Sequence, residues 1–276
     1  MKYIFTSILL LSIVHAQGQV PYGYNKDVGK KAKVNGIELY YEIYGEGQPL
    51  VMLHGNGGSS GSGANIMSEL TANYKVITVD HRCHGQSGCT EELNYRLMAS
   101  DINELLNQLR IDSAYIYGHS DGGIMGLIMA FSYPDKVKKL VVSGANIKRD
   151  STGLQPEIVS MMKDYPLIEQ ERMRKQIKLM VEYPNIEYSE LHGIKCPVLI
   201  ISGDRDAVRL SHTVKIFENI EHSQLSVLPG TTHFVFDEHP QLILDLMQSF
   251  YEQPFNMPST IEWAKAVARQ IMPGKN

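Results

Sequence analysis

Cysteine is scarce: Cys83, Cys89 and Cys196 are the only three in a chain of 276 residues. An odd count cannot pair completely, so the chain is not built on a disulfide framework. With 43% hydrophobic residues it can bury one large core without such a framework. Cys83 and Cys89 share a loop long enough to permit a bridge without imposing one, which would leave Cys196 free beside Pro197. Charge of one sign is equally scarce. Lys and Arg number 26 against 30 Asp and Glu, for a formal net charge of -4, and no basic block occurs. Neither nucleic acid nor an anionic membrane surface is therefore indicated as a partner. Repeats with a period of about 20 to 50 residues are missing, and low complexity is confined to Gly57 to Gly63. His54, His81, His84 and Cys83 invite a metal reading, but their spacing matches no usual zinc pattern, so no metal is expected.

Long apolar runs are also lacking. Ile4 to Val14 is too short to span a bilayer comfortably, but it follows Lys2 and precedes the small-residue segment Val14-His15-Ala16. Residues 1–18 therefore read as a cleaved signal peptide, with residues 19–276 as the exported domain, secreted or periplasmic and without stable membrane insertion. No cysteine near the cleavage point suggests a lipid anchor.

What is present is alternation. Lys31 to Val34 and Ile37 to Tyr44 flank Asn35-Gly36, the signal of a type I′ hairpin. After Pro49, short apolar runs at 50–54, 75–80, 113–118, 139–144, 197–203 and 224–228 alternate with helical patterns at 64–72, 94–109, 121–133, 210–219 and 235–251. The fold class expected is α/β, a mostly parallel eight-stranded sheet flanked by helices. Residues 147–194 are too many for a simple crossover and hold amphipathic runs at about 153–164 and 167–183, the second with Met173, Ile177, Met180 and Val181 on one face. The tail at 253–276 carries Trp263 on a helix from Ile261 to Ile271; docking against the body is the default expectation, a partner surface the sharper one.

Four motifs carry chemistry. Gly118-His119-Ser120-Asp121-Gly122 lies between a strand pattern and a helix pattern, the context of a nucleophile elbow. Small neighbours let a strained strand-to-helix turn present the serine hydroxyl, while the helix N-terminus turns N–H groups toward developing negative charge. Upstream, the run ending at Leu53 leads into His54-Gly55-Asn56-Gly57-Gly58, a turn able to supply a second N–H donor. Downstream, Gly203-Asp204-Arg205-Asp206 sits at a strand exit, and Pro229-Gly230-Thr231-Thr232-His233 follows the last strand. The order Ser120, Asp206, His233 suits nucleophile, acid and base.

With Asp80-His81-Arg82-Cys83-His84-Gly85-Gln86-Ser87, these motifs make the chain resemble the α/β-hydrolase superfamily, in its branch of capped serine esterases and C–C or C–O hydrolases, over about residues 30–252. Cys83 and Thr232 stand where glycine is frequent in that pattern. The resemblance implies Ser120 as nucleophile, His233 as base and Asp206 as acid, with Asp204 as the alternative acid. It also implies an oxyanion hole of the Asn56 and Asp121 backbone N–H groups, an acyl-enzyme, no cofactor, and a helical cap at 147–194 over the site. Small carboxylic esters or related acyl compounds are the substrates implied. Lactones, peptides with a small N-terminal residue, C–C cleavage and a ligand-binding, non-enzymatic role remain alternatives. Met161, Met162, Tyr165, Met173 and Met180 would line an adaptable pocket or only seat the cap. Asp121, in a run resembling amino-acid-ester hydrolases such as the biphenyl hydrolase-like group, would meet a substrate ammonium or simply complement its helix dipole.

Overall fold

The computed structural model describes residues 20–271, so the segment expected to be a signal peptide lies outside the described residues. β1 (Lys30–Val34) and β2 (Ile37–Tyr44) form an antiparallel pair. Asn35 and Gly36 between them both have positive φ, 39° and 83°, as a type I′ turn requires. The alternating elements follow: β3 (Gln48–Leu53), α1 (Met67–Asn73), β4 (Tyr74–Val79), α2 (Tyr95–Gln108), β5 (Ala114–His119), α3 (Asp121–Ser132) and β6 (Val137–Ser143). Three helices then form the insertion, α4 (Pro156–Met162), α5 (Glu171–Glu182) and α6 (Tyr188–Leu191). β7 (Val198–Gly203), α7 (Leu210–Glu218), β8 (Ser223–Leu228), α8 (Val235–Glu238), α9 (Pro240–Glu252) and α10 (Thr260–Ile271) complete the order.

The strands make one sheet in the order β1-β2-β4-β3-β5-β6-β7-β8, parallel from β4 through β8. Parallel strands buried on both faces need apolar residues at successive positions, and β7 is buried along its whole length. One face is covered by α2, α3 and α7. α2 shows why: Asn94 accepts the Leu97 N–H at 2.8 Å to cap it, and Met98, Ile102 and Leu105 recur at helical spacing into the core. α3 is buried almost all round. The other face is covered by α1 and α9 through Met67, Leu70, Ile243, Leu244 and Met247.

Buried polar groups tie the edges together. Arg82 and Asp101, both about 1% exposed, form a two-pronged ion pair at 2.7 and 2.8 Å, and Arg82 also donates to Asn35 O and Thr90 Oγ1. Such a pair is costly to break, because either partner alone would be an uncompensated buried charge. Glu42 is fully buried and accepts from Gly23 N, Asn25 N and the hydroxyls of Tyr40 and Tyr44. Cys83 and Cys89 are joined, and Cys196 is buried and free. Cys83 has φ 63°, the left-handed conformation that explains why glycine is frequent there.

Two expectations need correction. The helix expected at 235–251 is broken at His239, because Pro240 has no N–H to donate and its ring drives the preceding residue out of the helical region (φ −138°, ψ 56°). The tail helix α10 does not dock against the body: it has no buried residue, and Trp263 is 67% exposed. None of its residues joins the hydrophobic clusters on the two faces of the sheet, which α1 and α9 close on one side and α2, α3 and α7 on the other.

Two buried histidines hold loops in place as neutral rings. His54 donates from Nδ1 to Gly55 O at 2.7 Å and accepts the His81 N–H at Nε2, 3.1 Å. His212 accepts the Ile147 N–H at Nε2, 3.0 Å, and meets the Tyr188 hydroxyl at Nδ1, 2.8 Å, pinning both ends of the insertion to α7. Burial drives His54 from 6.5 to about 3 and His212 to about 4. The unfolded chain protonates these rings below about pH 6.5, whereas the folded chain does so only near 3 to 4, so unfolding takes up protons between those limits. The protein should therefore lose stability on acidification through that window, by up to about 1.4 kcal/mol per pH unit for each ring. A pH series of thermal midpoints checks this, and His212→Gln should flatten the slope.

Candidate active site

The site is assembled at the C-terminal ends of β3, β5, β6, β7 and β8, where loops from separate parts of the chain converge. Ser120 joins β5 to α3 with φ 52° and ψ −118°, a strained conformation for a residue with a side chain. Only glycines permit the turn. A Cβ on Gly118 would lie 2.2 Å from Gly122 O, and one on Gly122 would lie 2.2 Å from Leu53 O at the end of β3. The Ser120 N–H donates to Ser143 O at 2.8 Å, fixing the turn to β6.

His233 and Asp206 meet this serine. The Ser120 hydroxyl lies 2.9 Å from His233 Nε2, and His233 Nδ1 lies 2.7 Å from Asp206 Oδ1. With Nδ1–H donating to the carboxylate, Nε2 is left as the acceptor for the serine proton. Asp206 is 4% exposed and also accepts the Val208 N–H at 2.9 Å. Asp204 has no part in this chain of bonds; it pairs at 3.8 Å with Arg205. Thr232, at a position where glycine is frequent in the family pattern, gives both its N–H and its hydroxyl to Glu238, anchoring the loop beside His233. Gly144 after β6 makes room for the imidazole: its φ is +60°, and a Cβ there would fall 2.7 Å from His233 Cε1.

Asn56 and Asp121 flank the serine from two sides. Among the described residues neither backbone N–H donates to a protein acceptor. Their side chains bond to each other, Asn56 Nδ2 to Asp121 Oδ2 at 2.9 Å. Asp121 is 2% exposed, and its other oxygen accepts the Tyr95 hydroxyl at 2.7 Å. Burial pushes this carboxyl up, and the bonds from Asn56 and Tyr95 pull it partly back. Both oxygens of Asp121 are thus engaged within the protein, which ties it into the frame of the site beside Ser120.

A cavity of about 600 Å³ opens from Ser120. On the cap side it is walled by Leu154, Ile158, Met162, Ile177 and Met180, with Val208 from the core; on the other by Met52, Tyr117 and Phe236. Met162 and Met180 line it as expected, but Met161 is 71% exposed and lies outside the lining, as do Tyr165 and Met173. α4 turns Met162 inward, and its neighbour Met161 consequently faces solvent. His119 also lines the cavity; its Nδ1 meets Ser143 Oγ at 3.0 Å, and that hydroxyl meets Tyr117 OH at 2.7 Å. Burial, with a further contribution from the neighbouring His233 ring, pushes His119 down to about 3, so its ring is neutral. His119, Tyr95, Ser143 and Gln176 were not singled out from the sequence. Only His119 and Ser143 had a legible signal, namely their places in the elbow and at the end of β6. Among the described residues no set of three or more His, Cys, Asp or Glu side chains converges as a metal site, and no helix is long and apolar enough to cross a membrane.

Comparison with known proteins agrees with this architecture. Residues 48–164 match the family model of the alpha/beta hydrolase fold. The human serine hydrolase BPHL is 27% identical over 255 residues, spanning 79% of this chain and 86% of that protein. The provisionally named carbamate hydrolase RutD of Caulobacter sp. (strain K31) is 28% identical over 241 residues, spanning 71% and 88% respectively. Among solved structures, the esterase EaEST from Exiguobacterium antarcticum superposes with a TM-score of 0.73 at 23% identity, covering 82% of this chain and all of that one. By fold, motif order and these likenesses, the chain belongs to the α/β-hydrolase superfamily.

Proposed function

We propose that this protein is a serine hydrolase that cleaves small carboxylic esters or related acyl compounds through an acyl-enzyme. The observation that carries the reading is the hydrogen-bonded chain from Asp206 through His233 to Ser120, opening into a largely apolar cavity. His233 Nε2 takes the Ser120 proton as Oγ attacks the substrate carbonyl carbon, and Asp206 stabilises the resulting imidazolium. The carbonyl oxygen, now negative, accepts from the Asn56 and Asp121 N–H groups; each such donor contributes about 3 kcal/mol to the transition state. Collapse of the tetrahedral intermediate expels the alcohol, which receives the proton held by His233. Water, deprotonated by the same nitrogen, then attacks the acyl-serine, releasing the acid and restoring Ser120.

The cavity favours uncharged substrates. No lysine or arginine is among its described lining residues, whereas Asp121 and Asp237 are. A substrate carboxylate would be desolvated there with no cation to meet it. Export to an oxidising compartment is part of the same proposal, and the Cys83–Cys89 bridge supports it.

With p-nitrophenyl acetate, the protein should release a stoichiometric burst of p-nitrophenol followed by turnover. Ser120→Ala should abolish both, and His233→Ala should lower kcat by about 10⁴-fold or more. Release that survives in Ser120→Ala would refute the assignment. In a second measurement, mono-p-nitrophenyl adipate should show kcat/KM at least ~10-fold below p-nitrophenyl hexanoate, mainly through KM, since an unpaired buried charge costs more than 1.4 kcal/mol. Equal efficiency, after subtraction of the Ser120→Ala background, would remove the charge argument.

A further inference from the structure

The side chain of Asn56 has no role in the reaction just described, yet it is one of the most constrained groups near Ser120. Both hydrogens of its amide are engaged, one on Asp121 Oδ2 at 2.9 Å and one on the backbone carbonyl of Gln176 in α5 at 3.1 Å. Both partners are acceptors, which settles the orientation of the amide. Asp121 is held in turn by the buried hydroxyl of Tyr95 at 2.7 Å. Gln176 is held by its own side chain, whose Nε2 donates to Cys83 O at 2.7 Å; Arg172, one turn earlier, donates to Gly85 O and Ser87 O. The loop closed by the Cys83–Cys89 bridge is thus the seat of the cap helix.

The two residues joined by this amide each carry a backbone N–H with no protein acceptor among the described residues. They lie on separate elements: Asn56 on a glycine-rich loop, Asp121 at the first turn of α3. No backbone hydrogen bond joins Asn56 itself to α3 among the described residues. Loop and helix approach closely enough that a Cβ on Gly55 would lie 3.2 Å from Ser120 Cβ, but contact of that kind limits approach without setting separation.

We propose that Asn56 and Asp121 are a coupled pair of positioning residues. Their side-chain bond sets the spacing of the two N–H groups that receive the oxyanion, and the second bond of Asn56, to Gln176 O, makes that spacing depend on a seated cap. The proposal rests on the serine-hydrolase reading and gives the Asp121 carboxylate a task that needs no charged substrate. A displaced donor weakens the transition state and leaves apolar binding of the substrate intact, so the loss falls on the acylation rate constant and not on the dissociation constant Kd of the Michaelis complex.

The test is a double-mutant cycle on acylation, measured from the dependence of burst rate on p-nitrophenyl acetate concentration, which separates the acylation rate constant from Kd, with the thermal midpoint recorded for each variant. Asn56→Ala and Asp121→Ala should each slow acylation by about 10- to 100-fold with Kd within about threefold of wild type. The double variant should be no slower than the worse single one, since one bond is lost in all three. Asp121→Asn, which keeps an acceptor for Asn56, should recover most of the rate. If Asp121→Ala does not fold, Gln176→Met, which keeps the carbonyl that Asn56 bonds but releases its anchor on Cys83 O, should slow acylation in the wild-type background and have no further effect in Asn56→Ala. Multiplying losses, or losses confined to Kd, overturn the proposal while leaving the hydrolase reading in place. A wild-type protein without any Ser120-dependent burst overturns both.

Discussion

The close approach of three backbones at the turn after β5 is the constraint on which the site depends. β5 must run straight into α3, the start of α3 must touch the end of β3, and Ser120 must occupy a left-handed conformation between them. A conformation of that kind costs on the order of 1–3 kcal/mol and persists only where its surroundings over-determine it. Here they do, with Ser143 accepting the Ser120 N–H, Gly118 and Gly122 removing the side chains that would collide, and α3 buried almost all round. The same packing presents the serine hydroxyl outward and leaves the first N–H of α3 without a partner.

The other components hang on this turn by hydrogen bonds that skip long stretches of chain. His233 reaches Ser120 across 113 residues, Asp206 reaches His233 across 27, and Asn56 reaches Asp121 across 65. Each is carried by a loop at the end of a parallel strand, so the sheet supplies the common frame. The loops are then fixed individually: Thr232 by Glu238, Asp206 by the Val208 N–H, and the Asn56 turn by neutral His54. The cap is attached through polar contacts, with His212 holding its ends and Arg172 and Gln176 seating α5 on the bridged loop. Its apolar side, with Ile158, Met162, Ile177 and Met180, is left to wall the cavity.

The two places where the family pattern is broken have local explanations. Cys83 takes a conformation glycine would adopt without strain and is tied to Cys89. Thr232 replaces glycine with a side chain that bonds Glu238 and so fixes the histidine loop. Each departure adds a connection while leaving the conformation that the site needs.

Hydrophobic period and turn chemistry are local, and whatever depends on them was legible in the sequence. The Asn35-Gly36 hairpin, the strands within one or two residues, the elbow at Ser120 and the strand exits carrying Asp206 and His233 all follow from short stretches. The break at His239 was legible too, in Pro240, but was outweighed by the apolar period running through it. Helix orientation and partner choice are not local, and these only the tertiary structure decided. A one-residue difference turned Met162 into the cavity and Met161 out of it, because the facing of a short helix is set by what it packs against. Asp121 became an internal acceptor because Asn56 and Tyr95, from two other elements, arrive at its two oxygens. The tail helix α10 stays outside both hydrophobic clusters, whose helices already cover the two faces of the sheet. A sequence specifies what each segment can bury and donate; which of those groups meet is settled when the sheet brings the loops to one edge.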